Sequence, residues 1–305
     1  MTTYRLGINT CFAVKRWPEP ERWAEITRSE LGLDLVQHSL DLVDLDAAAA
    51  EIEDQSDRLR AACSDRGLEL HSTFTGLAAY SSNLLLHPDQ SARDRARYWY
   101  RRVMDFTAMC GAQSTGGHLG AFSVSDWTDQ ERRERLWGEL TESLAELAAY
   151  ARGCGLSCLM AENLAAAREP STMDMIASLL TEGDALHAPL MLCLDVGHMC
   201  VPGTGGDDRD PYAWLAQLGA SAPVVQLQQS DGLADHHWPF IPEHNAGGII
   251  EAERVLSSLD RSGAAEVALI LEVIPPFEQD DDAVLDELRQ SCAYWRAALD
   301  AHQHG

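Results

Sequence analysis

Polar side chains recur at the ends of otherwise apolar segments along this 305-residue sequence. Glu162, Asp195 and Glu272 each end a run with the composition of a buried strand. Three converging carboxylates would repel one another and raise each other's pKa unless a cation lay between them. With the amide oxygen of Gln226 they form an oxygen-rich donor set that suits Mn²⁺ or Mg²⁺. The set predicts a divalent metal site, although each carboxylate taken alone fits a helix cap or a surface ion pair equally well.

Several histidines and a second glutamine lie at or just beyond the same strand ends. His198 follows Asp195 by three residues, so one turn after the strand brings both side chains to one pocket. The other candidate substrate contacts are His71, His118, Gln228 and, in the polar and aromatic loop 230–240, His237. A loop of this composition commonly closes over a ligand and excludes water. For His71 and His118 a buried core histidine is an equal alternative, and for His237 it is packing within the loop.

Arg168 is one of the few cations close to these positions, six residues after Glu162. Its guanidinium has the planar shape that binds a phosphate or carboxylate group of a ligand. A surface arginine paired with Glu169 is the alternative, and the sequence does not separate the two.

Strand-like and helical segments alternate along the whole chain. The predicted strands are Arg5–Asn9, Asp34–Ser39, Leu68–Phe74, Ser114–His118, Leu156–Glu162, Leu190–Asp195, Val224–Gln228 and Val267–Glu272. They are mostly continuous apolar runs, as expected for parallel strands buried on both faces. The segments between them have apolar residues three or four positions apart, which is typical of helices. Examples are the predicted helices near 48–65, 90–110, 128–153, 171–182 and 281–301.

Eight strand–helix units predict a single (β/α)₈ barrel, and 305 residues is an ordinary length for one. The alternative is an open doubly wound sheet. That fold usually has a G-x-G-x-x-G turn after its first strand, and here the first strand continues into Asn9–Val14 instead. With no evident linker or repeat, we expect one domain over 1–305. In such a barrel, functional residues lie at the carboxyl ends of the strands.

The composition excludes several classes of protein. Lys and Arg total 23 against 48 Asp and Glu, a net charge of −25, which argues against nucleic acid and anionic membranes as partners. We found no apolar run of 18 residues and no secretory signal at the N-terminus. The eight cysteines are scattered without a C-x-x-C pair, which favours buried thiols in a reducing cytoplasm.

Four segments together resemble the xylose isomerase-like TIM-barrel superfamily of sugar isomerases and epimerases. They are Met160–Asn163, Leu194–His198, Gln226–Asp231 and Leu271–Glu272. Within that superfamily the chain looks most like the D-erythrulose-1-phosphate 3-epimerases. The similar segments are Leu6–Val14, Trp17–Pro20, Leu192–Asp195, His237–Phe240, Glu243–Ala246 and Tyr294–Arg296.

The resemblance implies a metal-dependent epimerase or isomerase that acts on a small keto sugar or keto sugar phosphate through an enediolate. It implies that Glu162, Asp195, Gln226 and Glu272 hold the metal. Of these, Glu162 and Glu272 would also move the proton, one removing it and the other returning it from the opposite face. His198, His118 and His237 would orient hydroxyl groups, and Arg168 would bind the anionic end. Members of the family often form homodimers or homotetramers.

The sequence departs from the family pattern at two positions. The ligand on the seventh strand is usually a histidine, whereas this chain has Gln226, so Gln228 or Gln229 are further candidates for that ligand. The ketose 3-epimerases also have a glutamate six residues after the first ligand, where this chain has Arg168. A cation in place of an anion favours an anionic substrate such as a sugar phosphate.

Three other functions remain open at this point. A metal-dependent lyase, either a dehydratase or a decarboxylase of a sugar acid, uses the same enediolate chemistry. A phosphodiesterase like endonuclease IV is less favoured, because the net charge is negative and the seventh-strand histidine is missing. The third alternative is a sugar-binding protein without catalytic activity.

Overall fold

The computed structural model describes residues 2–185 and 190–304, and its centre is one closed barrel of eight parallel strands. The strands are β1 Thr3–Asn9, β2 Leu35–Ser39, β3 Glu69–Phe74, β4 Ser114–Gly117, β5 Cys158–Glu162, β6 Leu190–Asp195, β7 Val224–Leu227 and β8 Glu266–Leu271. Each strand pairs with its neighbours in sequence, and β8 closes the barrel on β1 over six residue pairs. The prediction of a closed (β/α)₈ barrel is confirmed, and no strand boundary differs from its predicted position by more than two residues.

Helices surround the barrel and cover the outer face of the strands. They are α1 Pro20–Glu25, α2 Ala49–Arg66, α3 Gln90–Cys110, α4 Val124–Thr128, α5 Gln130–Gly153, α6 Met173–Ala185, α7 Pro211–Leu218, α8 Pro242–Asn245, α9 Ala252–Ser262 and α10 Asp281–His304. In α5 the residues Leu136, Leu140, Leu144 and Leu147 are all buried, as their spacing predicts for one face of a helix. None of the described helices is both long and apolar enough to cross a membrane.

Two apolar layers hold the barrel together. The larger one packs the outer face of the strands against the helices. The smaller one fills the barrel interior, and its buried members are Leu35, Phe74, Cys158, Met160, Cys193, Val224, Ala268 and Ile270. Side chains pack this interior into a solid core, so ligands can enter only from the two ends. The polar residues of interest lie above this core, at or just after the carboxyl ends of the strands.

Candidate active site

Three carboxylates meet at the carboxyl end of the barrel. Glu162 is the last residue of β5, Asp195 is the last of β6, and Glu272 directly follows β8. One oxygen from each lies within 4.8 Å of the other two, and each side chain is at least nine-tenths buried. The cluster therefore concentrates negative charge in a region from which water is largely excluded.

Burial and mutual repulsion make this cluster unfavourable as it stands. Burial raises the pKa of Glu162 to about 8, although His198 and a hydrogen bond from Tyr80 oppose the shift. Burial, followed by the charges of Asp195 and Glu162, holds the pKa of Glu272 well above its usual range. Carboxylates in this condition are stabilised either by protons or by a bound cation.

A network of amides fixes the orientation of Glu272 and Gln226. The Asn9 and Gln226 side-chain amides each donate to Glu272 Oε1 at 2.7 Å, and each donates to Gln37 Oε1 at 2.9 Å. Asn9 and Gln37 were not among the predicted site residues. Asn9 is the last residue of β1, which is the same signal that identified the carboxylates, whereas Gln37 lies in the middle of β2 and gives no such signal.

Within the described chain, four polar atoms of this site are buried without a hydrogen-bond partner. They are Glu162 Oε1, Gln226 Oε1, His118 Nδ1 and His198 Nε2. An unsatisfied buried polar atom is costly, by about 1–3 kcal/mol, and native structures usually supply it with a partner. Of these atoms, the side-chain oxygens of Glu162 and Gln226 are suited to a ligand with positive charge.

The side chains of Gln228 and Gln229 already form hydrogen bonds within the protein through both their amide nitrogen and their amide oxygen. The Gln228 amide group donates to Asp195 at 3.1 Å and to Asp235 at 2.8 Å, while its carbonyl accepts the backbone N–H of His237. The carbonyl of Gln229 accepts two backbone N–H groups. Among the three candidate glutamines, only Gln226 has an amide oxygen left for a metal.

Glycine is required between Asp195 and His198 because of this packing. A Cβ atom at Gly197 would lie 2.2 Å from the side-chain amide carbon of Gln228. The backbone N–H of Gly197 in turn donates to Asp195 Oδ1 at 2.6 Å. The D-x-G-H segment therefore fixes the carboxylate and leaves room for the neighbouring amide.

His198 and His237 flank the carboxylates with an aspartate between them. His198 donates from Nδ1 to the Asn163 carbonyl at 2.7 Å, and its Nε2 lies 3.4 Å from Asp235. His237 lies with Nε2 3.1 Å from the same carboxylate. Burial lowers the pKa of both imidazoles, but for each the nearby aspartates more than compensate and the net shift is upward. Asp235, which the sequence analysis missed, thus holds positive charge next to the cluster.

His237 has a second notable feature, a left-handed backbone with φ of 50°. Such a conformation is uncommon for residues other than glycine and often occurs at functional sites. Asp195, His198 and His237 also form a potential metal-ligating group of their own, next to the three carboxylates.

Tyr80 and His118 form the opposite wall. The Tyr80 hydroxyl donates to Glu162 Oε2, and the His118 ring stacks on the Tyr80 ring with centroids 4.8 Å apart. Burial lowers the pKa of His118 to about 4, so this imidazole is neutral. Tyr80 was missed because it lies in the loop after β3, away from any predicted strand end.

A cavity of about 340 Å³ opens above the cluster. Its lining includes Asn9, Tyr80, Asp235, His237 and Glu272. The volume suits a molecule the size of a small sugar and lies within the usual range for ligand sites.

Two residues predicted to contact the substrate, His71 and Arg168, lie at the other end of the barrel or already form a hydrogen bond within the protein. His71 lines a different cavity, at the amino end of the barrel, together with Arg5 and Glu69. Arg168 donates to the backbone carbonyl of Phe122 and has no ion pair with Glu169 in the structure. His71 is only the third residue of β3, so it lies near the amino end of that strand and not at the carboxyl end where the predicted site lies.

Glu169, next to Arg168, is the buried residue of this pair. Its exposed fraction is 9%, and burial raises the pKa of its carboxyl to about 7, opposed mainly by His198. A buried carboxyl group therefore lies in the loop after β5, one position later than the family pattern suggests.

Residues 28–297 match the family model described as the xylose isomerase-like TIM barrel, and the chain belongs to this family. Among curated relatives it is 28% identical over 302 residues to D-erythrulose 1-phosphate 3-epimerase of Brucella abortus, covering 97% of this chain and 96% of the relative.

Two solved structures illustrate the similarity in fold. A putative xylose isomerase from Rhodospirillum rubrum is 32% identical, with a TM-score of 0.89 over 96% of this chain and 99% of that one. D-psicose 3-epimerase from Clostridium cellulolyticum is 16% identical, with a TM-score of 0.71 over 97% of this chain and 99% of that one. The second similarity shows the fold alone.

Proposed function

We propose that this protein is a divalent-metal-dependent 3-epimerase of a small keto sugar or keto sugar phosphate. The observation that carries the proposal is the buried cluster of Glu162, Asp195 and Glu272 beneath a sugar-sized cavity. The Brucella relative, a D-erythrulose 1-phosphate 3-epimerase that matches over almost the full length of both chains, supports the same activity.

The residues present fit a hard divalent cation, Mn²⁺ or Mg²⁺. Glu162, Asp195 and Glu272 supply carboxylate oxygens, and Gln226 supplies an amide oxygen that has no other partner. Thiols are absent from this donor set, which disfavours softer metals. When bound, such an ion stabilises the negative charge that develops on the carbonyl oxygen of a keto sugar.

Glu162 and Glu272 are the residues we assign to proton transfer. They extend from β5 and from the end of β8, and thus approach the carboxylate cluster from different strands. One removes the proton from the carbon next to the carbonyl group, and the other returns a proton to the opposite face of that carbon, which inverts it. The amides on Glu272 Oε1 and the Tyr80 hydroxyl on Glu162 Oε2 hold both carboxylates in place and leave one oxygen of each for the substrate.

The surrounding residues position the substrate and exclude water. His237 lines the cavity, where it can orient a hydroxyl group of a sugar. His198 and Gln228 lie around Asp195 and Asp235 and hold these carboxylates in place. His118 supports this wall through Tyr80.

The decisive experiment is NMR of candidate sugars incubated with the protein and Mn²⁺ in D₂O. A panel of keto- and aldo-sugars, free and phosphorylated, should contain one ketose that gains deuterium at a single carbon and forms its epimer. Loss of water or carbon dioxide from a sugar acid would instead identify a lyase. Absence of any exchange across the panel would contradict the proposal.

Two wider predictions accompany this function. The eight cysteines are all free thiols, which supports a reducing cytoplasmic setting. The expected partner is a small sugar rather than nucleic acid or membrane, and the assembly we expect is a homodimer or homotetramer.

A further inference from the structure

The sequence contains a single lysine, Lys15, and it lies on the same side of the barrel as the active site. It follows the end of β1 by six residues. Its backbone is left-handed, with φ of 61°, and the Ala13 carbonyl accepts the N–H groups of Arg16 and Trp17 across this turn. A left-handed lysine costs about 1–2 kcal/mol, and such strain tends to be retained at ligand-binding positions.

The environment of Lys15 leaves its charge available. Its ammonium group lies 4.1 Å from the centre of the Phe277 ring, and the side chain is exposed. Within the described part of the chain, no carboxylate lies within 4 Å of that ammonium, although the protein has a net charge of −25. Arg16 fixes the loop that carries Phe277 by donating to the carbonyls of Pro276 and Phe277. Lys15 is therefore held in place without being neutralised.

The arginines on this side of the barrel are engaged, in contrast to Lys15. Arg16 also pairs with Asp281, and Arg168 donates to the Phe122 carbonyl. Arg209 donates to two backbone carbonyls in the loops after β6 and β7. None of these guanidinium groups is presented to a ligand as openly as the ammonium of Lys15.

Lys15 lines a cleft of about 760 Å³ that adjoins the active-site cavity. Leu77 lines both, and it lies in the loop after β3 that separates them. Asp41, which also lines the cleft, accepts the backbone N–H groups of Leu77 and Ala78, so this carboxylate is occupied in holding the loop. Asp44, also in the cleft, accepts a backbone N–H from Asp46.

We infer that Lys15 binds the anionic end of the substrate, and that this end is a phosphate group. The inference rests on the proposed function, because that function places the sugar over the carboxylate cluster. The phosphate group of the sugar would then lie beyond Leu77, in the cleft. A lysine ammonium binds phosphate as a compact point charge with three donors. This assigns to Lys15 the role that the sequence analysis gave to Arg168.

Kinetics of Lys15→Met test the inference through the choice of substrate. The ratio of KM for the phosphorylated ketose to KM for its free counterpart should rise by about 10- to 100-fold, as expected for loss of a charged hydrogen bond. Lys15→Arg should restore most of the ratio. Arg254→Met is the matched control, since Arg254 is an exposed cation 3.7 Å from the Tyr212 ring centre, and it should leave the ratio unchanged. An unchanged ratio in Lys15→Met would overturn the inference.

A second measurement does not depend on turnover. Lysine labelled with ¹³C at Cε gives one side-chain NMR signal in this protein, because there is only one lysine. Inorganic phosphate should shift that signal saturably, whereas chloride at the same ionic strength should not. A linear response identical for both salts would overturn the role of Lys15 even if the protein proves to be an epimerase. A saturable shift in a protein without epimerase activity would instead preserve the phosphate site and refute the proposed function.

Discussion

The two ends of the barrel have cavities of similar volume, but the charged groups are paired at one end and unpaired at the other. The cavity at the amino end measures about 330 Å³, and the one at the carboxyl end about 340 Å³. At the amino end Arg5 and Glu69 form a two-pronged ion pair, with N–O distances of 3.0 and 2.8 Å, and both side chains are about a third or more exposed. The carboxylates at the carboxyl end are buried and have no arginine or lysine partner in the described chain.

This contrast separates a stabilising arrangement from a functional one. The charges at the amino end are paired, and the Glu69 carboxyl has its pKa lowered by the hydrogen bond from Arg5. At the carboxyl end burial and repulsion raise the pKa values of Glu162 and Glu272, and polar atoms remain without partners. The volume of a cavity does not reveal its role, whereas the pairing of its charges does.

The largest expected difference comes from glutamates near the two ends of β8. Glu272→Gln should lower turnover on the order of 1000-fold, because it removes a proton-transfer group while keeping the shape of the side chain. Glu266→Gln, at the amino end of the same strand, should change turnover less than about twofold, since Glu266 is exposed and away from the cluster. Equal effects of the two substitutions would contradict the functional contrast. Mn²⁺ binding measured on Glu272→Gln distinguishes loss of the proton-transfer group from loss of the metal.

Glu169 and Glu69 should give stability with opposite dependence on pH. Because burial raises the pKa of Glu169 from 4.5 to about 7, its contribution is most favourable below pH 4.5 and is lost as the pH rises through 7. Glu169→Gln should therefore raise the free energy of unfolding at pH 8 by up to about 3 kcal/mol and have little effect at pH 4. The charges of His198 and Arg168 oppose this rise in the pKa of Glu169, and that of Asp235 adds to it.

The matched variant is Glu69→Gln. Arg5 lowers the pKa of Glu69, so its stabilisation is present above pH 4.5 and is lost as the pH falls. The variant should be less stable than the parent at pH 8, by less than about 1 kcal/mol because the pair is partly exposed, and equally stable in acid. Chemical unfolding of both variants at the two pH values measures this, and slopes of the same sign would refute the assignment.

Metal affinity should also differ between the two ends. Gln226→Leu removes the unpaired amide oxygen and should weaken Mn²⁺ binding by about 10- to 100-fold. Gln113→Leu, at the exposed rim of the amino-end cavity, should leave the affinity unchanged. Isothermal titration calorimetry gives both values. Tight binding in Gln226→Leu would show that the fourth ligand is another group.

The smallest effect is expected for Arg5→Met. Breaking the pair with Glu69 should lower the free energy of unfolding by about 0.2–1 kcal/mol and leave turnover intact. Thermal unfolding together with a turnover assay measures both. A large loss of turnover would show that the amino end takes part in function.

Much of the fold and part of the site follow from the sequence. Continuous apolar runs identify strands buried on both faces, and the leucine spacing of α5 identifies its buried side. Glu162, Asp195 and Glu272 stand out because a carboxylate is rare at the end of a buried apolar strand unless a partner compensates its charge. These signals are local, and one sequence is enough to recognise them.

The rest depends on how loops fold and on where along the barrel axis a side chain lies. Tyr80 reaches Glu162 only through the conformation of the loop after β3, and Arg168 turns to a backbone carbonyl that no pattern indicates. His71 lies on a predicted strand but near the opposite end of the barrel. The sequence alone also cannot show that Gln228 is engaged and Gln226 is not, because that distinction rests on the geometry of the hydrogen bonds.

The most direct test of the metal site is anomalous X-ray diffraction from crystals of the unaltered protein soaked in Mn²⁺. We expect one strong manganese peak enclosed by Glu162, Asp195 and Glu272, with the side-chain oxygen of Gln226 turned toward it. Crystals that show no peak there, or a peak only at the Arg5–Glu69 end, would contradict it.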